Sequence, residues 1–241
     1  CYQQIADRLA DDFSVFAPDL RGHGDSHTPD MALPWRGMAD DVEAVLDHLA
    51  LDEPVWAGGH SMGGATVMAT ALRRPDAFRA AWLFEPIVFP AQHETRTREN
   101  PLAAGARHRR HDFASFEEVI ERYAGKPPFA GVDPAALRDY VVHGFRETAD
   151  GVTLKTTGES EARVFEGIDT SIFDQLGRVD VPVTVVGSGD GHPPAVIAPL
   201  VADALPNGTL TPWADRTHFG PFEDPGRAAA EIRRAFLGVD R

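Results

Sequence analysis

The sequence predicts an α/β fold in which a mostly parallel β-sheet carries helices on both faces. Short apolar runs of strand length alternate along the chain with longer segments whose apolar residues recur at helical spacing. Several of the runs are hydrophobic almost throughout, as is typical of parallel strands that are buried on both sides. With 241 residues, of which 43% are hydrophobic, the chain can bury one large core.

The first elements along the chain are predicted to be a helix, a strand and a second helix. Ile5 and Leu9, with Cys1 before them, recur every four residues and mark one face of the first helix. The apolar run at residues 13–17 predicts a strand, which ends at Pro18. The second helix is indicated by apolar residues at helical spacing, namely Met38, Val42, Val45, Leu46 and Leu49.

The middle of the chain predicts a strand, a sharp turn, a helix and another strand. Residues 55–57 form an apolar run that stops in a Gly-x-Ser-x-Gly motif at residues 59–63. A helix is predicted from there to Pro75, because a proline interrupts helical hydrogen bonding. Its inward face consists of Ala65, Met68, Ala69 and Leu72. Residues 80–84 predict the next strand.

The carboxyl-terminal part returns to the same alternation. Residues 181–187 are rich in β-branched side chains and predict a strand, and residues 196–204 predict a helix. A short strand is predicted at residues 209–212. The last helix places Ala228, Ile232 and Phe236 on its inward side.

Between Pro86 and Arg178 the pattern changes to helical spacing without a strand of the core sheet. We therefore expect a core formed by residues 1–86 and 179–241, with residues 87–178 inserted as a largely helical cap that shapes a substrate pocket. The alternative is a structural appendage without substrate contacts. Its predicted helices are marked by two sets of apolar residues: Phe113, Phe116, Val119, Ile120 and Tyr123, and Leu137, Tyr140 and Val141.

Charge and composition limit the partners. The 37 acidic and 23 basic side chains give a formal charge of −14, which disfavours nucleic acids and anionic membranes as partners. The basic run at residues 107–111 is interpreted as a solvated face, with contact to an acidic substrate as the alternative. The single cysteine, Cys1, excludes an internal disulfide framework.

Several other functional classes lack their sequence signatures. No apolar run approaches a membrane span of about 20 residues, and no amino-terminal targeting segment is visible, so we expect a cytoplasmic location. Neither a zinc-ligand spacing nor a dinucleotide or phosphate-binding glycine motif occurs. The sequence thus predicts no cofactor and no metal, and a small molecule as the partner, while the oligomeric state stays open.

The strongest functional signal is the turn that contains Ser61. A serine on a sharp strand-to-helix turn needs unusual backbone angles and close approach of neighbouring chain, for which Gly59, Gly63 and Gly64 are suited. The first turn of the following helix presents free backbone N–H groups to whatever the serine attacks. This context predicts that Ser61 is a nucleophile, whereas the alternative is an ordinary glycine-rich turn.

A nucleophilic serine requires a base and an acid that orients the base. His218 lies in a loop after the last short strand, which places it at the same sheet edge as Ser61 if the strands are parallel. Asp190 follows the strand at residues 181–187 and precedes His218 in chain order, so it is predicted to orient the histidine. Glu85, at the end of the preceding strand, is the alternative acid.

Two further polar features have weaker claims. His60 is adjacent to the serine on a tight turn, so we expect it to pack or to form a local hydrogen bond rather than to act as the base. The loop at residues 19–26 is polar and glycine-punctuated, and we expect it chiefly to bond loops together.

Together these motifs resemble the α/β-hydrolase superfamily. The resemblance rests on the loop at residues 19–26, the turn at 59–64, the strand end at 187–190 and the late His218. It implies an α/β-hydrolase fold with a triad of Ser61, Asp190 and His218, and with the Met62 N–H as one oxyanion-hole donor. Because the nucleophile is a serine, the chain is similar to the serine-nucleophile branch rather than to the haloalkane dehalogenases and epoxide hydrolases, which have aspartate there.

The resemblance also implies that the first strands of the fold are missing. Members of the superfamily have three strands before the helix that begins here near Cys1, and the loop after the third strand supplies a second oxyanion donor. We therefore expect an amino-terminally incomplete chain that is inactive or insoluble alone.

For the complete protein, the resemblance implies a serine hydrolase of esters, thioesters, lactones or activated C–C bonds. It would act through an acyl-enzyme intermediate. The alternatives are a cofactor-free lyase or acyltransferase on the same fold, and a non-catalytic binding protein or inactive fragment.

Overall fold

A computed structural model describes residues 2–30, 32–91 and 100–238. In chain order its elements are α1 Gln3–Leu9, α2 Trp35–Leu49, β1 Val55–His60, α3 Met62–Arg73, β2 Phe78–Phe84, α4 Pro101–Arg107, β3 Asp112–Phe113, α5 Phe116–Ala124, α6 Pro134–Gly144, β4 Phe145–Thr148, β5 Gly151–Leu154, α7 Gly158–Glu166, a 3₁₀ helix Phe173–Arg178, β6 Val183–Ser188, α8 Pro193–Ala204, β7 Gly208–Trp213, α9 Gly220–Glu223 and α10 Pro225–Leu237.

The elements fall into two units. The parallel-sheet unit comprises the described parts of residues 34–96, 169–218 and 230–241. The antiparallel-sheet unit comprises the described parts of residues 1–33, 97–168 and 219–229. The predicted boundaries of the cap at residues 87 and 178 stay a prediction.

The parallel-sheet unit contains four strands in the order β1-β2-β6-β7, and every neighbouring pair is parallel. The strands predicted around residues 55, 80, 181 and 209 are thus confirmed. The sheet core consists of fully or almost fully buried side chains, which include Ala81, Trp82, Leu83, Phe84, Val185, Val186 and Trp213. Because all four strands run in one direction, their carboxyl ends lie along one edge of the sheet, where sites form in α/β proteins.

Two of the predicted helices of this unit pack against each other. The helix α3 buries the apolar face that its spacing predicts, including Ala65 and Met68, and it packs against α2. Arg73 of α3 bonds to Asp40 at 2.6 Å and to Glu43 at 2.9 Å on α2. These ion pairs are partly exposed, so the buried apolar face contributes more to the packing than the charges do.

The amino-terminal prediction is correct for the helix and wrong for the strand. Ile5 and Leu9 are buried on α1, while Cys1 lies outside the described residues. Residues 13–17 are not a strand: the side chains of Val15 and Phe16 are 42% and 59% exposed, and no described strand pairs with them. An apolar run forms a strand only where a neighbouring backbone can accept its hydrogen bonds.

The antiparallel-sheet unit is less purely helical than the sequence indicates. Its helices α4 to α7 accompany a three-stranded sheet of order β3-β5-β4, in which both pairs are antiparallel. Its apolar cluster comprises Phe113, Val119, Leu137, Val141, Phe145, Val152 and Leu154. Only the first residue of β4, Phe145, is buried, whereas Arg146, Glu147 and Thr148 are exposed. So short and polar a strand has no apolar alternation to reveal it.

The start of α5 is set by capping rather than by its apolar spacing. Phe113, which the sequence analysis placed in this helix, lies in β3 instead. The Ser115 hydroxyl accepts a hydrogen bond from the Glu118 N–H at 3.3 Å, and the Glu118 carboxylate accepts one from the Ala114 N–H at 2.7 Å. Together they fix the first turn of the helix after Ser115.

The basic run at residues 107–111 is occupied by ion pairs within its own unit. Arg107 bonds to Glu159 and Glu166 on α7, at 2.8 Å in each case, and Arg109 bonds to Glu161 at 2.8 Å. Arg107 and Arg110 are exposed, which agrees with the interpretation as a solvated face, and the pairs of Arg107 and Arg109 link this face to α7.

The loop at residues 19–26 bonds to itself and, through Asp25, to Lys155 at 2.7 Å, in agreement with the expectation that it bonds loops together. The Asp19 carboxylate accepts the Asp25 N–H at 3.0 Å, and the Asp19 carbonyl accepts the Ser26 hydroxyl at 2.6 Å. Gly24 has a φ of 52°, and a Cβ there would overlap with the Asp19 carboxylate. The glycine is therefore required by both backbone conformation and space. In the described parts of the chain, no helix is long and apolar enough to cross a membrane.

Candidate active site

Ser61 occupies a strained turn between β1 and α3. Its φ of 55° and ψ of −119° lie in a region that residues with a side chain rarely adopt, and such strain is found mainly at functional sites. The Ser61 N–H donates to the Phe84 carbonyl at 3.0 Å, and the Ser61 carbonyl accepts the Ile87 N–H at 3.1 Å. The turn is thus held in place by the end of the neighbouring strand, β2.

Close packing explains two of the three glycines around the serine. A Cβ at Gly59 would lie 2.7 Å from the Gly63 carbonyl oxygen, and one at Gly64 would lie 2.7 Å from the Pro86 Cβ. Both positions therefore require glycine. Gly63 differs from the expectation, because a Cβ there would meet no atom within 4 Å.

Met62 is the first residue of α3, directly after the serine. The first N–H groups of a helix have no acceptor within the helix, and the helix dipole favours negative charge there. This is the position from which a backbone N–H can stabilise an oxyanion that forms on a group attacked by Ser61.

The imidazole of His218 is bonded to Glu85. Its Nδ1 lies 2.5 Å from the Glu85 Oε2, and the other carboxyl oxygen of Glu85 accepts the Ser188 N–H at 2.7 Å. The Glu85 side chain is completely buried, and its φ of 43° is a second strained backbone conformation at this sheet edge. A buried carboxyl group with both oxygens in hydrogen bonds has a fixed orientation.

These partners assign the protonation of the His218 ring. Because a carboxylate can only accept hydrogen bonds, the proton of the neutral imidazole is on Nδ1 when that nitrogen bonds to Glu85. The lone pair of the neutral ring is then on Nε2.

Asp190 occupies a different position from the one that the sequence analysis expects. Its carboxylate accepts the backbone N–H of His218 at 2.9 Å and that of His192 at 3.0 Å. Partial burial opposes its charge, but the surrounding hydrogen bonds, first those from the two backbone N–H groups, together hold the pKa of Asp190 below its ordinary value. Asp190 therefore contacts the backbone of the loop, whereas Glu85 contacts the ring of His218.

His60 bonds to the other side of the same residue. Its Nε2 lies 2.8 Å from the His218 carbonyl oxygen, and the two ring centroids are 4.7 Å apart. Burial, and next the proximity of His218, lower the pKa of His60 to about 3. His60 is therefore neutral at physiological pH and does not serve as a second cation.

The structure thus brings together the serine turn, the late His218 and the alternative acid, Glu85. His60 precedes Ser61 in the chain and touches His218, so the loop of His218 lies beside the serine turn. The sequence identified each of these residues but not the bonds of His60 and Asp190 to the His218 backbone. No side-chain pattern signals such bonds, because any residue supplies the same N–H and C=O groups.

Comparison with known proteins places this geometry in a family. Residues 1–130, more than half of the chain, match the family described as the alpha/beta hydrolase fold. The chain belongs to the alpha/beta hydrolase fold family. The four parallel strands and the strained serine turn described above agree with this assignment.

Curated relatives include enzymes with different names. The chain is 24% identical over 188 residues to a 2-(acetamidomethylene)succinate hydrolase of Mesorhizobium japonicum, a match that covers 77% of this chain and 64% of that protein. It is 29% identical over 251 residues to Lipase 3 of a Moraxella species, covering 98% and 72%. Human monoglyceride lipase is 37% identical over 108 residues, which is 43% of this chain and 35% of the lipase. Two of these three relatives are thus matched over less than two thirds of their length.

Solved structures share the fold at low identity. An E-2-(acetamidomethylene)succinate hydrolase superposes with a TM-score of 0.80 at 20% identity, covering 98% of this chain and 86% of that one. A thermophilic esterase from Thermogutta terrifontis gives a TM-score of 0.73 at 24% identity, covering 100% and 85%. These likenesses establish the fold and leave the substrate open.

Proposed function

We propose that this protein is a serine hydrolase that cleaves ester-like or related carbonyl substrates. Ser61 is the nucleophile, His218 the base and Glu85 the acid that orients it. The observation that carries the proposal is the 2.5 Å contact between the His218 Nδ1 and the buried Glu85, in a loop that also touches the strained serine turn. In acyl transfer, an oriented histidine beside a serine serves to activate the serine as a nucleophile.

The reaction would proceed in two halves. The His218 Nε2 takes the proton of the Ser61 hydroxyl as its oxygen attacks the carbonyl carbon, and the Met62 N–H stabilises the resulting oxyanion. The protonated His218 then gives its proton to the leaving group, which leaves an acyl group on Ser61. Water, deprotonated by His218, attacks this ester, and the acid product departs as the serine recovers its proton.

Glu85 fits the role of acid better than Asp190 does. Its Oε2 contacts the ring nitrogen that must stay protonated, so a buried carboxylate lies beside the positive charge that develops on His218. Asp190 faces the backbone N–H groups of His192 and His218 instead. In this proposal Asp190 holds the loop and does not orient the ring.

The names of the relatives support a carbonyl substrate of small-molecule size. They include a hydrolase of 2-(acetamidomethylene)succinate, lipases and, among solved structures, an esterase and a thioesterase domain. Esters, thioesters, lactones and activated C–C bonds all react through attack on a carbonyl carbon. A panel of these four classes is the direct way to find the preferred one.

The first test replaces the nucleophile. Ser61→Ala removes the attacking oxygen and should reduce turnover of a p-nitrophenyl ester by about 10⁶-fold, to the level of the residual non-nucleophilic reaction. It should also abolish labelling by a fluorophosphonate probe. The matched control is Ser14→Ala, because Ser14 is exposed. Retention of both activities in Ser61→Ala protein with native circular dichroism would refute the proposal.

The same assays separate the alternatives. A lyase or acyltransferase would label with the probe but would release a product other than the hydrolysed acid, which mass spectrometry identifies. A binding protein with this fold would neither label nor turn over any substrate of the panel. Probe labelling together with a free acid product supports the hydrolase.

A further inference from the structure

His60 has a second contact with the proposed machinery besides its place next to the nucleophile. We propose that His60 is a positioning residue, which fixes the base His218 by donating a hydrogen bond from its Nε2 to the His218 backbone carbonyl. The inference rests on the proposed function, since the position of His218 matters only if that residue reacts. It adds a residue that acts through the base rather than on the substrate.

The hydrogen bond defines the form of the His60 ring. A carbonyl oxygen only accepts, so the contact of 2.8 Å requires a proton on the His60 Nε2. The ring of Phe84 meets the His60 ring edge-on, with centroids 5.7 Å apart, and the ring of His218 lies at 4.7 Å. His60 is thus held between two rings with its donor aimed at the backbone of His218.

The bond couples two segments that are distant in the chain. His60 is the last residue of β1 and is followed directly by Ser61, whereas His218 lies in the loop after β7. The two strands are the outer strands of the four-stranded sheet, so they share no hydrogen-bonded ladder. The contact between His60 and His218 therefore links the end of β1 to this loop directly.

The peptide groups on both sides of the His218 Cα are held. Asp190 accepts the N–H at 2.9 Å, and His60 donates to the carbonyl at 2.8 Å. Glu85 holds the ring itself through Nδ1. With both the backbone and the ring fixed, the Nε2 of His218 keeps its direction, and a shift of about 1 Å in such a group can cost about 10²-fold in rate.

The charge state of His60 suits this position. Its pKa of about 3 leaves it neutral when His218 takes up the serine proton. A cation at 4.7 Å between ring centroids would oppose that proton transfer by like-charge repulsion. A neutral donor holds the carbonyl without this penalty.

The test compares two substitutions that differ in the donor. His60→Phe keeps a ring and loses the N–H, whereas His60→Gln places an amide N–H near the original Nε2. We expect His60→Phe to lower kcat for a p-nitrophenyl ester by about 10-fold to 100-fold with KM unchanged, and to slow fluorophosphonate labelling by a similar factor. His60→Gln should restore most of both rates. His48→Phe, on an exposed position of α2, is the control for a new surface phenylalanine.

Two outcomes would overturn the inference: a His60→Phe protein with wild-type kcat, or a His60→Gln protein as impaired as His60→Phe. If His60→Phe does not fold, ¹⁵N spectra of the wild-type imidazoles decide. The neutral Nε2–H tautomer of His60 at neutral pH supports the inference, and the Nδ1–H tautomer refutes it. A complete wild-type protein that neither labels nor hydrolyses would refute the proposed function itself, whereas the His60 variants test only the role of His60.

Discussion

The carboxyl ends of β2 and β6 are neighbours in the sheet, and each carries a carboxylate close to His218. Glu85 at the end of β2 is completely buried and contacts the imidazole, while Asp190 beyond β6 is only partly buried and contacts backbone N–H groups. The two acids therefore hold different parts of one residue. Which acid orients the ring depends on where its side chain lies, and not on its order along the chain.

The difference arises from how each acid is anchored. The Glu85 N–H donates to the Val186 carbonyl at 2.8 Å, and the Glu85 carboxyl accepts the Ser188 N–H at 2.7 Å, so both ends of the residue are bonded to β6. Asp190 lies two residues beyond β6, in a loop. A short side chain in that loop accepts hydrogen bonds from nearby backbone N–H groups, here those of His192 and His218.

Of the substitutions at the two acids, Glu85→Gln is expected to have the larger effect on kcat. An amide keeps the shape of the carboxylate but has only one oxygen. If that oxygen faces the His218 Nδ1, the amide NH₂ opposes the Ser188 N–H. If it faces Ser188, the NH₂ faces Nδ1 and disfavours the Nδ1–H tautomer of His218. We expect kcat for a p-nitrophenyl ester to fall by about 10³-fold to 10⁴-fold, as for loss of a triad acid. Steady-state kinetics and circular dichroism measure the effect and the fold.

A smaller effect is expected from Asp190→Asn. The asparagine oxygen can accept one of the two backbone N–H groups but not both, so the loop of His218 loosens while Glu85 still holds the ring. We expect kcat to fall by about 10-fold. Asp52→Asn at an exposed position serves as the control. A greater loss in Asp190→Asn than in Glu85→Gln would reverse the roles assigned to the two acids.

The pH dependence of stability sharpens the comparison further. His60 has a pKa of about 3 in the folded protein against an ordinary 6.5, so only the unfolded chain binds its proton between these values. The free energy of unfolding then falls as pH drops from 6.5 to about 3, by up to about 1.4 kcal/mol per pH unit from this group. His60→Gln should remove this contribution, as urea unfolding at pH 7 to 4 would show.

Asp190 affects the pH dependence of stability in a lower pH range than His60 does. Its pKa is lowered from 3.8, so the stability that it contributes is present above that pH and is lost as pH falls through its folded-state value. Asp190→Asn should therefore leave the unfolding free energy between pH 6.5 and 4 with the wild-type slope. Equal slopes in wild-type and His60→Gln proteins would contradict the depressed pKa of His60.

Much of the parallel sheet could be predicted because its signals are local. The runs that end at Phe84 and Gly187 are strongly apolar, and Pro75 marks the end of the helix after the serine turn. The run at 13–17 has the same local character but lacks a pairing partner among the described strands. Pairing is a property of the tertiary structure, so the pattern alone could not exclude it.

The candidate site was predictable to the level of residue type and chain order. Ser61 and His218 follow from the turn chemistry around them, and Glu85 could be named only as an alternative acid. The choice between the acids depends on a positive φ at Glu85 and on the backbone partners of Asp190. Gly63 shows the same limit, because the motif includes it although its surroundings leave room for a side chain.

The hydrogen bonds around the serine turn have a consequence for protein engineering. The Ser61 N–H bonds to Phe84 and the Ser61 carbonyl bonds to Ile87, so the two contacts straddle Glu85. Ser61 and Glu85 therefore belong to one segment in which the end of β1 is hydrogen-bonded to the end of β2. If residues 59–63 alone were transplanted into another scaffold, the Ser61 hydroxyl would be present, but its position would not be kept. The end of β2 would have to be transplanted with the turn.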